Sequence, residues 1–188
     1  MKFKPLLALL AFVAGSASAL PLAADGQWSA FDVDDTAAAS GDLEWIDIFD
    51  DGAALSFDFS IAAGFYGTLT VVDGGFAGDR FLVTSGSTIL GKTSSPGTSM
   101  PDSVGLDFDA ALADPRYSNA SFTLGAGTYS VAGYLIRSAT FAGVPLNATV
   151  GAVRLTVSPV PEPSTALSLL AGLGLFGFLR ARERTRTR

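Results

Sequence analysis

The 188-residue sequence predicts an all-β domain, an antiparallel β-sandwich or jelly-roll-like fold, on three observations. The stretch "ALSFDFSI" alternates without a break. Leu55, Phe57, Phe59 and Ile61 point one way, and Ser56, Asp58 and Ser60 the other, the period of a half-buried strand. "TVGAVRLTV" repeats the pattern, with Val153, Leu155 and Val157 opposed by Arg154 and Thr156. Finally, glycine-rich turns ("DGGFAGD", "TSGST", "LGAGT") divide these from further strand candidates, "YGTLTVV", "RFLVT", "SFTL" and "GTYSVAGYLIR". Seven or eight short strands separated in this way suit a sandwich or jelly roll.

In chain order, the first element is a leader. Lys2 and Lys4 give a basic start, Leu6 to Ala14 carries no charge, and "GSASA" ends in a small-residue cleavage signal. Residues 1–19 therefore predict a signal peptide, with Leu20 as the first mature residue. The β-sandwich domain is expected over residues 20–159, long enough to bury a core. It holds sixteen Asp/Glu against five Lys/Arg. That balance excludes nucleic acid as a partner, which needs clustered cations. Solubility through self-repulsion accounts for the acidity, and a calcium site is the sharper alternative.

Within the domain, "DFDAALAD" before Pro115 predicts a single short helix, and Gly91 to Gly105 a long surface loop. Trp45 and Tyr129 are expected in the core.

Residues 160–188 differ from everything before them. The triplet Pro161, Glu162, Pro163 is followed by fourteen uncharged residues, Ala166 to Leu179, and then by Arg180, Arg182, Arg184, Arg186 and Arg188. As a helix the apolar run is about 21 Å long, against roughly 30 Å of hydrocarbon, so it predicts a short transmembrane span extended by snorkelling arginine stems. The arginines would hold the C-terminal end on the cytoplasmic side, which leaves the acidic domain outside, as the leader also requires. Gly172, Gly174 and Gly177 match a dinucleotide-loop spacing, but no strand precedes them and no acid follows at the right distance. Small residues easing helix packing in lipid explain them.

This order of triplet, apolar helix and arginine cluster resembles the PEP-CTERM protein-sorting domain, over about Val160 to Arg188. The resemblance implies export across the inner membrane of a Gram-negative bacterium, typically one that makes exopolysaccharide. It implies exosortase, a membrane protease-transpeptidase, as the partner that recognises Pro161, Glu162 and Pro163 and removes the tail. The two prolines would keep the triplet extended and accessible. The middle of the chain is similar to a family of small secreted β-domains, through Asp73, Phe76, Gly78, Asp79 and Phe81, and through Asp107, Asp109, Ala111, Asp114, Pro115 and Arg116. That likeness supports the fold rather than an activity.

The chain has no histidine and no cysteine, which removes catalytic triads, thiol chemistry and the usual zinc sites. It also suits bacterial export better than a disulfide-stapled secreted domain. Lys92 is the one lysine after the leader, an exposed amine and a poor base. Nothing fixes a carboxylate pair for glycoside hydrolysis. The expectation is therefore no enzyme and no required cofactor. Calcium remains open at Asp73 with Asp79, and at Asp107, Asp109 and Asp114, although a loop starting at Asp32 fails the EF-hand pattern. The plainer reading of these aspartates is helix capping and turn hydrogen bonds; an intermediate one is that Arg80 and Arg116 pair with them and tie loops together. Carbohydrate is the remaining ligand class, through Trp28, Trp45, Tyr66, Tyr117, Tyr129 or Tyr134.

Overall fold

The computed structural model describes residues 17–47, 49, 52–95, 103–161 and 168–173. The chain divides into two units, Met1–Val157 and Ser158–Arg188. In the first, the strands are β1 (Ala17–Pro21), β2 (Ser29–Val33), β3 (Ile46–Asp47), β4 (Ala53–Ile61), β5 (Phe65–Asp73), β6 (Arg80–Ser85) and β7 (Thr88–Lys92). After the helix α1 (Phe108–Ala113) come β8 (Asn119–Leu124), β9 (Gly127–Arg137), β10 (Thr140–Phe141), β11 (Val144–Pro145) and β12 (Thr149–Pro159).

Nine strands follow one hydrogen-bonded path, β7-β6-β9-β4-β3-β2-β12-β5-β8, with β1 added alongside β4 and with β10 and β11 as a separate hairpin. Antiparallel ladders join β12 to β2, β2 to β3, β3 to β4, β4 to β9, β9 to β6, β6 to β7 and β5 to β8. The path almost closes on itself, because the Ser94 amide beyond β7 donates to the carbonyl of Asn119 in β8 at 2.9 Å. The fold is all-β and antiparallel, as expected. The exception is β1, which runs parallel to β4.

Alternation drives the main core. Leu55, Phe57, Phe59 and Ile61 of β4 are all buried, and they pack with Phe81 and Val83 of β6 and Val131 of β9. From the other half of the sheet come Phe31 and Val33 of β2, Leu69 and Val71 of β5, and Val153 and Leu155 of β12. Trp45 sits at the centre, as expected. Its ring stacks on Phe31 at 4.0 Å, and Phe81 meets both edge-on. A Cβ at Gly133 would lie 2.4 Å from the indole, so β9 needs glycine there.

A second, smaller core forms on the outer face of the sheet. The helix lays Phe108 and Ala111 against Val72 of β5, Ala152 of β12 and Tyr117. This is why β5 and β12 are buried on both faces for part of their length, where alternation alone predicts one dry face. The helix itself falls where the sequence places it. Asp107 caps it by accepting from the Ala110 amide at 3.0 Å.

Two expectations are corrected. Tyr129 is not a core residue. It is half-buried, stacked on Phe59 at 5.3 Å, with its hydroxyl donating to the Gly125 carbonyl. A phenol that keeps its polar end near water satisfies the hydroxyl more cheaply than full burial. Nor does the segment Gly91 to Gly105 lie wholly on the surface. Thr93 is buried, accepts from the Phe81 amide and the Ser118 hydroxyl, and so continues the sheet by its side chain. Residues 96–102 of that loop lie outside the described residues, as does most of the leader, residues 1–16.

In the second unit, Pro161 is exposed and residues 168–173 are helical. Glu162, Pro163, most of the predicted span and all five terminal arginines lie outside the described residues. Among the described residues no helix is long and apolar enough to cross a membrane.

Candidate functional site

The two acidic stretches singled out in the sequence end in different surroundings. Asp73 closes β5, and the chain then turns through residues 74–79, using left-handed backbone at Gly75 and Gly78. Asp73 Oδ2 accepts from the Gly78 amide at 3.1 Å and the Asp79 amide at 3.2 Å, so the carboxyl folds the loop back on itself. Asp79 reaches further. It accepts from the Ala139 amide at 2.6 Å, just past β9, and from the Thr149 hydroxyl at the start of β12. One side chain thereby ties three distant parts of the chain together.

Both carboxyls are buried, Asp73 completely and Asp79 to 2% exposure. Burial pushes Asp73 up to about 9. The neighbouring charge of Asp79 adds to the rise, and the loop amides oppose it. Burial likewise raises Asp79 to about 6, against the Thr149 and Ala139 hydrogen bonds. Asp73 therefore holds its proton to higher pH than Asp79 does. Asp73 Oδ1 is buried without a hydrogen-bond partner. Beside the pair lies a pocket of about 270 Å³, lined in part by Asp32, Phe76, Asp79 and Thr149. Asp32 is also raised, chiefly by burial.

The second stretch sits on and around α1, near water. Asp107 is the N-cap already described. Asp109 accepts from the Trp28 indole and from the Arg154 guanidinium, each at 3.0 Å. Arg154 in turn lies 4.3 Å from the centroid of the Trp28 ring. Asp114 is held below its ordinary value, first by the Arg116 side-chain hydrogen bonds, the shortest at 2.6 Å.

Of the five calcium candidates, then, the fold brings Asp73 and Asp79 together and gives Asp107, Asp109 and Asp114 separate partners. Among the described residues no group of three or more acidic side chains converges on a point that could hold a metal ion. Arg116 pairs with an aspartate as expected, whereas Arg80 Nε donates to the Thr93 carbonyl. Of the six planar residues considered for sugar, Trp45 and Tyr117 are buried, Trp28 is covered by Arg154, and Tyr134 is the more exposed at 44%. The sequence reading missed Asp32 and Thr149: Thr149 donates to Asp79, and Asp32, across the ladder from Val150, lines the same pocket. The alternation in "SAFDV", with Phe31 and Val33 inside, was the signal that marks Asp32 as the polar position of a strand.

Residues 159–184 match the model of the PEP-CTERM protein-sorting motif, which agrees with the reading of the C-terminal segment from its residues. The motif supports an exported protein sorted by exosortase. Comparison with curated proteins gives no match. Among solved structures, the chain is similar to the pre-peptidase C-terminal domain of collagenase from Bacillus anthracis, at 7% identity and a TM-score of 0.38, over 76% of this chain and 97% of that one.

Proposed function

We propose that the chain is a non-enzymatic envelope or extracellular-matrix protein of a Gram-negative bacterium, with a structural or interaction role. It is exported by its leader and held briefly in the inner membrane by the C-terminal helix. Exosortase then releases the β-domain to the cell surface. The match of residues 159–184 to the sorting motif carries this reading. Its charge distribution supports it, since an acidic domain and an arginine-rich end suit opposite sides of one membrane. The use made of the acids supports the absence of catalysis. Asp73 and Asp79 hold loops, and Asp107, Asp109 and Asp114 hold the helix. The test is replacement of Pro161, Glu162 and Pro163 by alanine in the host. The reading expects the protein to accumulate in the inner-membrane fraction with its tail attached, and normal surface delivery would contradict it.

The second reading is a calcium-assisted carbohydrate-binding module acting on the exopolysaccharide matrix. It is favoured by the pocket beside Asp79, where carboxyls, a hydroxyl and the half-exposed Phe76 ring meet. A glycan array run with calcium and with chelator separates the two readings.

A further inference from the structure

The junction expected for signal cleavage lies inside a strand. In the uncut chain, β1 pairs in parallel register with β4: Ala17 with Ala54, Ser18 with Leu55, Ala19 with Ser56, Leu20 with Phe57 and Pro21 with Asp58. Hydrolysis of the Ala19–Leu20 bond consumes one water and leaves a carboxylate on Ala19 and an ammonium on Leu20. The mature side stays anchored, because Leu22 is buried and its amide donates to the Asp58 carbonyl at 2.9 Å. The leader side departs, and the edge of β4 from Ala54 to Ser56 loses its neighbour.

What is uncovered is a shaped seat. A pocket of about 200 Å³ has Ala17 as one wall, with Trp45, Ala54, Leu55, Gly133 and Tyr134 among the others. Trp45 Nε1 is buried without a hydrogen-bond partner, and the adjoining atom of the ring lies against Gly133. An open strand edge beside an apolar pocket invites addition of another strand.

We propose that the processed domain binds the C-terminus of an extended, small-residue peptide in this seat. The peptide backbone pairs in parallel with Ala54 to Ser56, and the residue at the former Ala17 position faces the pocket. The terminal carboxylate comes to rest where the Ala19 carbonyl lay, against the α-ammonium of Leu20. One observation and one consequence of the cut select the occupant. The chain's own Ala17, Ser18 and Ala19 show the strand that fits, in register. The ammonium created by the cut supplies the complementary charge, which a peptide ending at that point satisfies and an internal loop does not.

The inference rests on the leader being removed after Ala19, so the experiment reads that first. The processed protein is purified from the envelope of its host, and its N-terminus is determined by mass spectrometry. An N-terminus upstream of Leu20 overturns the cleavage reading and the seat with it. With Leu20 confirmed, the pentapeptide Gly-Ser-Ala-Ser-Ala is titrated as the free acid and as the C-terminal amide, followed by tryptophan fluorescence and hydrogen exchange. The seat predicts saturable binding of the acid, slowed exchange of the Ala54 and Ser56 amides but not of the Leu55 amide, which already donates to the Trp45 carbonyl, and about tenfold weaker binding of the amide. Equal binding of acid and amide, or no protection of β4, overturns it. So does self-association of the domain through that edge in place of peptide binding.

Discussion

The loop from Asp73 to Asp79 and the helical segment from Asp107 to Asp114 are both acidic and both glycine- or alanine-rich; one joins strands within the sheet, and the other fixes the helix that packs on it. They obey opposite electrostatics. The loop carboxyls are buried and raised, to about 9 and about 6. Asp114 at the end of α1 is lowered by Arg116. The lesson is that one residue type serves two kinds of joint. Buried in the sheet, a carboxyl accepts amides from distant segments and resists ionisation. Beside water, it caps a helix and pairs with arginine at little desolvation cost.

The contrast has a sign that solution measurements can read. A carboxyl whose folded value is raised contributes stability that is complete below its unfolded value, near 3.8, and is lost as pH climbs through the folded value. For this pair the loss runs from about pH 4 to about 6 for Asp79 and to about 9 for Asp73. Asp114 behaves in reverse, stabilising above about pH 4 and losing its contribution as pH falls through its lowered value. The thermal midpoint of the domain should therefore fall steadily between pH 5 and pH 9.

The largest single effect is expected at Asp79. Asp79→Ala strands the Ala139 amide and the Thr149 hydroxyl inside the fold and should cost about 3 kcal/mol in a denaturant titration. Next comes Asp73→Asn, which keeps an acceptor for the loop amides but cannot ionise. At pH 8 it should gain on the order of 2 kcal/mol net of its unsatisfied amide hydrogens, and it should flatten the upper half of the pH profile. A variant as pH-dependent as the parent would show that Asp73 is not the titrating group. Asp107→Ala removes the helix cap and should cost about 1 kcal/mol. Asp109→Ala should cost least, below about 1 kcal/mol, because the Trp28 and Arg154 contacts it removes are exposed. If Asp109 rivals Asp79, burial is not what separates the two regions.

Most of the sheet was legible because alternation is a one-dimensional signal. The strand from Ala53 to Ile61 declares its inward face in nine residues without reference to the rest of the chain. What was illegible depends on a second layer. The dry outer face at Val72 and Ala152 exists because α1 covers it, and nothing in either strand announces the helix. The short β3 makes too few pairs to leave a periodic trace, and β1, which makes five, crosses the junction between the expected leader and the domain. The site followed the same division. That Asp73 and Asp79 share one turn could be read from their spacing, but the partners of Asp79 join the loop only in the fold. Ala139 and Thr149 lie 60 and 70 positions from it along the chain. The sorting segment was the easiest part to read, since its message is an order of residue types rather than a packing.

The account is tested most directly by the intact mass of the protein recovered from the cell surface. It predicts a chain that begins at Leu20 and ends before the arginine cluster, with Arg180 to Arg188 gone. A surface-localised protein that still carries Arg188 would contradict it.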